Sequence, residues 1–189
     1  MFRDREVIFC TNEAEWEQWL AKNYARVEGV WLKIAKKSSG ITSVTHLESL
    51  DGALCYGWID GQGLPYDETY YLQKYTPRRP KSQWSKVNVA KIEALIAAGR
   101  MQEPGLAEVE AAKVDGRWDA AYEPMRNLTV PDDFAAALRQ APKAQAFFDT
   151  LNKTQRFAFI MRIMTLKNTE RREARIKQYI RLLEERQTL

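Results

Sequence analysis

The sequence predicts an α+β fold: an N-terminal mixed α/β unit with a small sheet and a hairpin, followed by a small C-terminal helical bundle. Three observations carry that prediction. Up to about residue 76, short alternating runs rich in β-branched and aromatic residues are interleaved with amphipathic stripes, the pattern of strands and helices in one layered unit. Turn formers cluster at GQGLP and TPRRP, where regular structure is interrupted. From Val130 onward the apolar residues recur at helical spacing. A boundary is expected near residue 126, giving units 1–126 and 127–189.

The elements follow in order. Glu6 to Cys10 reads as a short strand, and Asn12 followed by Glu15 reads as a capping-box-like helix start leading into Trp16, Trp19, Leu20 and Tyr24. In GVWLKIAKK, Val30, Leu32 and Ile34 alternate, which predicts a second strand. SSGITSVT reads as loop or irregular strand. His46 to Tyr56 has helical character ended by Gly57, a residue suited to the left-handed cap. Trp58 to Gly61 predicts a strand entering a turn at GQGLPYD, and Thr69 to Tyr75 the strand that returns. Pro77 and Pro80 keep PRRP out of helix, so Ser82 is expected to cap a helix that runs to Ala98 and stops at Gly99. Another helix covers Pro104 to Val114. In the last third, Pro131, Asp132 and Asp133 open a helix with Phe134 and Leu138 inward. Ala144, Phe147, Phe148 and Leu151 form the next apolar side. The stripes Phe157, Ile160, Met161, Met164 and Ile176, Tyr179, Ile180, Leu183 complete a bundle.

Composition narrows the function classes. The 189 residues are 45% hydrophobic, with net charge +4, and the longest apolar runs fall well short of the roughly 18 residues of a membrane span. The N-terminus alternates charged and apolar residues where a signal peptide needs a continuous apolar core, so a cytoplasmic location is expected. Cys10 and Cys55 have no metal-type spacing and read as buried free thiols. His46, the only histidine, excludes a histidine-based metal cluster, and at the start of a helix it reads as a cap or surface residue. No P-loop and no dinucleotide fingerprint occur, so no cofactor is expected.

Positive charge falls in two blocks. Residues 71–102 carry seven Lys or Arg (Lys74, Arg78, Arg79, Lys81, Lys86, Lys91, Arg100) against Glu93 alone, and residues 151–189 carry ten against four acids. The first block points to an anionic partner. Arg78 and Arg79 supply planar guanidinium forks between two prolines, beside Lys81 and the hydroxyls of Ser82 and Ser85. Trp58 and Trp84 offer flat surfaces for stacking, Asn88 both donor and acceptor, and Asp60 a carboxylate at the hairpin. One arginine is expected to brace the hairpin through Asp60 or Asp67, leaving the other for a ligand. The candidate ligand-binding set is therefore Trp58, Asp60, Arg78, Arg79, Lys81, Ser82, Trp84, Ser85 and Asn88.

The motifs ALCYGWIDG, YTPRRPKSQWSKVN, AAKVDGRWDAAYEP, VPDDFAAAL and KAQAFF, with a terminal R-x-x-R-I-x-x-Y pattern, occur together in this order. The chain resembles the YdeI/OmpD-associated, or bacteriocin-protection, family. That resemblance implies a helical module from about Val130 to Arg186, an association with resistance to membrane-active peptides, and no established enzymatic activity. The leading expectation is a non-enzymatic binding protein whose partner is an anionic small molecule or polyanion. A single-stranded nucleic-acid-binding protein using both basic blocks is one alternative. A hydrolase or transferase using Asp60, Asp67 and Arg78 is another.

Overall fold

The computed structural model describes residues 6–123 and 129–189, and the chain divides into two compact units, Met1–Tyr122 and Glu123–Leu189. Among the described residues the first holds four strands and four α-helices, with a short 3-10 turn at Lys37–Ser39: β1 (Val7–Phe9), α1 (Glu13–Asn23), β2 (Val30–Ala35), α2 (His46–Cys55), β3 (Trp58–Pro65), β4 (Tyr70–Pro77), α3 (Lys86–Ala97) and α4 (Glu103–Val114). The second holds α5 (Asp132–Gln140), α6 (Pro142–Thr150), α7 (Lys153–Met164) and α8 (Thr169–Glu184). The α+β class holds, with the sheet confined to the first unit.

The sheet has the order β1-β2-β4-β3, with β1 parallel to β2 and the other pairs antiparallel. One face buries Val30, Leu32, Ile34, Trp58 and Tyr75 in a core shared with Trp16 and Leu20 of α1. Trp16 anchors this layer by donating its indole N–H to the Ser49 carbonyl at 2.9 Å, and the Tyr75 hydroxyl shares a 2.7 Å hydrogen bond with Ser49 Oγ. Helix α2 serves two cores: Ala53 faces the sheet, whereas Leu50, Leu54 and Cys55 pack with Ile92, Leu95, Val109 and Trp84 on the α3–α4 side. That second layer is close: a Cβ on Gly105 of α4 would lie 2.2 Å from the Cys55 carbonyl oxygen, so only glycine fits. Both cysteines are free and buried, and burial pushes each thiol up to about 11.

Local chemistry explains most boundaries. Thr45 and Glu48 form a reciprocal capping box at α2. Gly57, at φ +75°, turns the chain from α2 into β3. At α1 the box is only half formed: Asn12 accepts from the Glu15 amide, but the Glu15 carboxylate bonds Thr11 instead of the Asn12 backbone.

Three expectations need correction. GQGLP is not the hairpin turn, because β3 continues through Gly61 to Pro65 with a bulge between Asp60 and Gly63, and the chain reverses after Pro65. Ser82 does not cap α3; Ser85 does, its Oγ accepting from the Asn88 amide at 3.2 Å. In α7 the buried stripe is Phe159, Ile160 and Ile163, whereas Met164 is exposed and Phe157 and Met161 only partly buried.

The second unit is tied by rings. Phe134, Phe148, Phe159 and Tyr179 meet successively edge to face, with centroids 5.6, 6.3 and 5.0 Å apart. Asn152 and Gln155 form a capping box at α7, and Asn168 caps α8. No helix among the described residues is long and apolar enough to cross a membrane.

Candidate functional site

A groove of about 270 Å³ opens in the first unit where the β3–β4 ribbon meets the segment leading into α3. Its walls come from Gly61 and Gln62 of β3, Lys74 and Thr76 of β4, and then Arg78, Arg79, Ser82, Ser85 and Asn88, with Tyr122 behind. Strand parity explains this membership. Side chains alternate across a sheet, so Ile59 and Gly61 share a face with Thr76 and Lys74, while Trp58, Asp60 and Tyr75 point to the other.

The segment 78–85 is held at several points. The Arg78 amide donates to the Gly57 carbonyl at 3.0 Å, and the Ser82 amide to the Arg79 carbonyl at 3.0 Å. Lys81 completes that turn at φ +62°, an uncommon conformation for lysine. Arg117 donates Nη1 to the Ser82 carbonyl at 3.0 Å while its Nε is clasped by Asp115. At the far end Tyr122 closes a clip: its amide donates to the Trp84 carbonyl at 3.0 Å, and its carbonyl accepts from the Lys86 amide at 2.9 Å.

Arg78 is the unusual residue of the site. Its side chain is buried, its guanidinium lies 3.6 Å above the Trp84 ring, and Nη2 donates to the Gln83 carbonyl at 2.8 Å. No carboxylate forms an ion pair with it among the described residues, and its buried Nε has no hydrogen-bond partner there. Burial brings its pKa down to about 10; Glu108 opposes that shift and Arg117 adds to it. A guanidinium with lowered pKa is one whose charged form is destabilised by its surroundings. Ser82 Oγ and Trp84 Nε1, nearby in sequence, are likewise buried with no hydrogen-bond partner among the described residues. Arg79, one residue on, is exposed at the groove mouth.

The nine expected site residues separate into four groups. Arg78, Arg79, Ser82, Ser85 and Asn88 line the groove together. Trp84 lies beneath it, 1% exposed, as the platform for Arg78, with its other contact edge-on to Trp118. Lys81 is exposed on the turn and outside the lining, near enough to Asp115 to help lower its pKa. Trp58 and Asp60 belong to the opposite sheet face. The Trp58 ring is fully buried with its N–H bonded to the Tyr24 carbonyl, so it has no face for stacking. Asp60 lies 3.3 Å from His46 Nε2.

Neither arginine braces the hairpin through Asp60 or Asp67. Asp67 instead accepts from the amides of Thr69 and Tyr70 at 2.8 and 2.7 Å, fixing the β3–β4 turn. Asp60 pairs with Tyr75 in the ribbon and Asp67 lies beyond the Pro65–Tyr71 pair. At roughly 3.3 Å per residue the two carboxylates stand more than about 12 Å apart along the strands and share no reacting atom. The first-turn donors of α3 are also partly taken, since Tyr122 and Ser85 accept from the Lys86 and Asn88 amides.

Sequence reasoning missed Gln62, Thr76 and Tyr122 as wall residues. Thr76 was available from the period of two through Lys74, Thr76 and Arg78; Gln62 depends on the bulge and Tyr122 on a contact made 38 residues after Trp84. The groove offers three cationic side chains and several hydroxyl and amide groups, with no acidic residue in its described lining. No group of His, Cys, Asp or Glu among the described residues could hold a metal ion.

Comparison with known proteins divides the chain similarly. Residues 8–108, which include ALCYGWIDG and YTPRRPKSQWSKVN, match a family described as a domain of unknown function, DUF8412. Residues 127–186 match the family described as bacteriocin-protection, YdeI or OmpD-associated. No curated protein and no solved structure matches the chain.

Proposed function

The chain belongs to the DUF8412 family over residues 8–108 and ends in a bacteriocin-protection, YdeI or OmpD-associated module, and from that premise we propose a non-catalytic binding protein for a small anionic ligand. The ligand's phosphate or carboxylate sits in the groove against Arg78 and Arg79. The family of the C-terminal module supports a role related to bacteriocin protection. One observation carries the reading: Arg78 is a buried guanidinium with no ion-paired carboxylate among the described residues, at the wall of a groove that holds further cations and hydroxyls. Burying a charge without a directly paired counter-charge is costly; Glu108 offsets part of that cost from a distance, and an oxyanion supplies the direct partner that the described residues do not.

The other two readings have less support. A single nucleic-acid strand needs aromatic faces to stack on, but of the five candidate rings Trp58, Tyr75 and Trp84 are buried and Tyr70 and Tyr71 partly so. A carboxylate-based hydrolase needs two acids flanking one bond, and Asp60 and Asp67 are separated along the ribbon.

The test is a thermal-shift and calorimetric titration with inorganic phosphate, a nucleoside monophosphate, citrate and a short single-stranded oligonucleotide at two salt concentrations. A small anion should give a saturable shift that survives added salt; at 100 times its dissociation constant it adds about 2.7 kcal/mol. Arg79→Ala, at an exposed position, should weaken it by about 1.5–3 kcal/mol without unfolding the chain. A shift shared by all polyanions and abolished by salt would move the function to nucleic acid. No response to any compound would remove the site.

A further inference from the structure

We propose that the C-terminal unit carries a second and independent site, a cleft between α5, α6 and α7 that takes a small amphipathic carboxylate, an apolar body with one anionic end. The cleft encloses about 430 Å³, within the roughly 300–1,000 Å³ range typical of small-molecule sites. Its floor is apolar: Leu138 of α5, Phe148 of α6 and Ile160 of α7 all contribute to the lining. The rim is cationic, with Arg139, Lys153 and Arg156 against the single acid Asp149.

That imbalance is not relieved locally. The Asp149 carboxylate accepts from Gln145 Nε2 at 3.0 Å, and Arg156 reaches only the Asp149 main-chain carbonyl through Nη2. The Arg156 guanidinium lies 5.7 Å from the centroid of the Phe148 ring, so it borders the apolar floor, and its Nε is buried with no hydrogen-bond partner among the described residues. None of the three rim cations makes an ion pair among those residues. A neutral apolar ligand satisfies only the floor, and a cationic one is repelled at the rim. An acyl-type carboxylate satisfies both: its chain covers Leu138, Phe148 and Ile160, and its head accepts from Arg156 with Arg139 or Lys153 beside it.

Decanoate, 1-decanol and decyltrimethylammonium separate these contributions, each titrated into the full-length chain by calorimetry below its micellar concentration. Decanoate should bind saturably at one site, decanol at least tenfold more weakly, and the ammonium compound not at all. Arg156→Gln should weaken decanoate by about tenfold to a hundredfold while leaving decanol unchanged. Lys153→Gln, at an exposed position, gives a smaller loss of the same sign should Arg156→Gln fail to fold. Ala135→Phe fills the cleft and should abolish both. Arg79→Ala should leave decanoate binding intact, so failure here and failure of the groove in the first unit are distinguishable. Equal binding of the three amphiphiles, or full decanoate affinity in both rim variants, overturns the proposal. So does sedimentation showing a dimer that Ala135→Phe dissociates, since a second copy then covers the cleft.

Discussion

Arg78 and Arg172 sit in the chain's two basic blocks and meet opposite surroundings. Arg172 is partly exposed and sends Nε and Nη2 to the two Asp133 oxygens at 2.6 and 3.0 Å, with Nη1 on the Ile163 carbonyl. The hydrogen bonds between them raise the arginine pKa and lower that of the carboxylate. Arg78 is buried, rests on a ring, and donates to a neutral carbonyl; burial lowers its pKa. Elsewhere in the first block the fold does bring acids: Asp51 reaches Lys91 at 2.6 Å, and Glu13 and Glu17 clamp Arg100. A local excess of positive residues is thus only raw material. Whether each is met by an acid decides which cation is left for a ligand.

The comparison can be broken most decisively at the ring beneath Arg78. Trp84→Ala removes a buried aromatic that touches both the guanidinium and Trp118, and should cost about 3–5 kcal/mol in urea denaturation. A loss under about 1 kcal/mol would mean that the platform is not what holds the segment. Next comes a matched pair of substitutions. Arg78→Met keeps the stacked length but removes the buried charge, so stability at pH 7 should stay within about 1 kcal/mol of the parent or exceed it, while phosphate binding is lost. Arg172→Met should instead lose stability, by no more than about 1 kcal/mol because the pair is partly exposed, and the loss should shrink in high salt. The pH dependence has a definite sign. The folded Arg78 pKa lies below its unfolded value, so its charged form is a burden at neutral pH. Any advantage of Arg78→Met should therefore fade as pH rises through about 10.

A smaller effect sharpens the other member of the comparison. Asp133 has a folded pKa below the ordinary carboxylate value, so its stabilisation is present at neutral pH and lost as acid is added below about pH 4. Asp133→Asn should flatten that part of the acid limb in a pH series of melting temperatures; an unchanged limb would show that the Arg172 clasp contributes nothing. The least effect is expected at Asp60→Asn, on the sheet face opposite the groove. Phosphate affinity should change less than twofold, and a larger loss would place Asp60 in contact with the ligand.

Much of this arrangement was legible in the residues. Strand alternation at Val30, Leu32 and Ile34 and the Gly57 stop identify β2 and the end of α2 without help from tertiary structure, whereas the cap of α2 is Thr45, one residue before His46. What was not legible depended on distant partners. Ser82 and Ser85 are equivalent caps by local chemistry; Ser85 prevails because Tyr122 pairs with its neighbours, a contact no window around PRRPKSQWS contains. The bulge between Asp60 and Gly63 extends β3 through glycines that read as a turn and sets which side chains reach the groove. In α7, Phe159 and Ile163 were passed over for Met161 and Met164, because two apolar stripes overlap there and only packing against α5, α6 and α8 selects one. Trp58 offers a flat face for stacking by its residue type, but the pleat turns it away from the groove and into the core.

The clip at Tyr122 also sets an order of events. Synthesis delivers Trp84 and Lys86 well before Tyr122, which bonds both, so the nascent chain carries that end of the groove segment unlatched while some forty further residues are added. A fragment ending at residue 108, where the DUF8412 match stops, contains every cation of the groove but neither the Arg117 strut nor the Tyr122 latch. Assembly of the groove is therefore a late event in the making of the first unit, and anything that binds it reports on a chain elongated past residue 122.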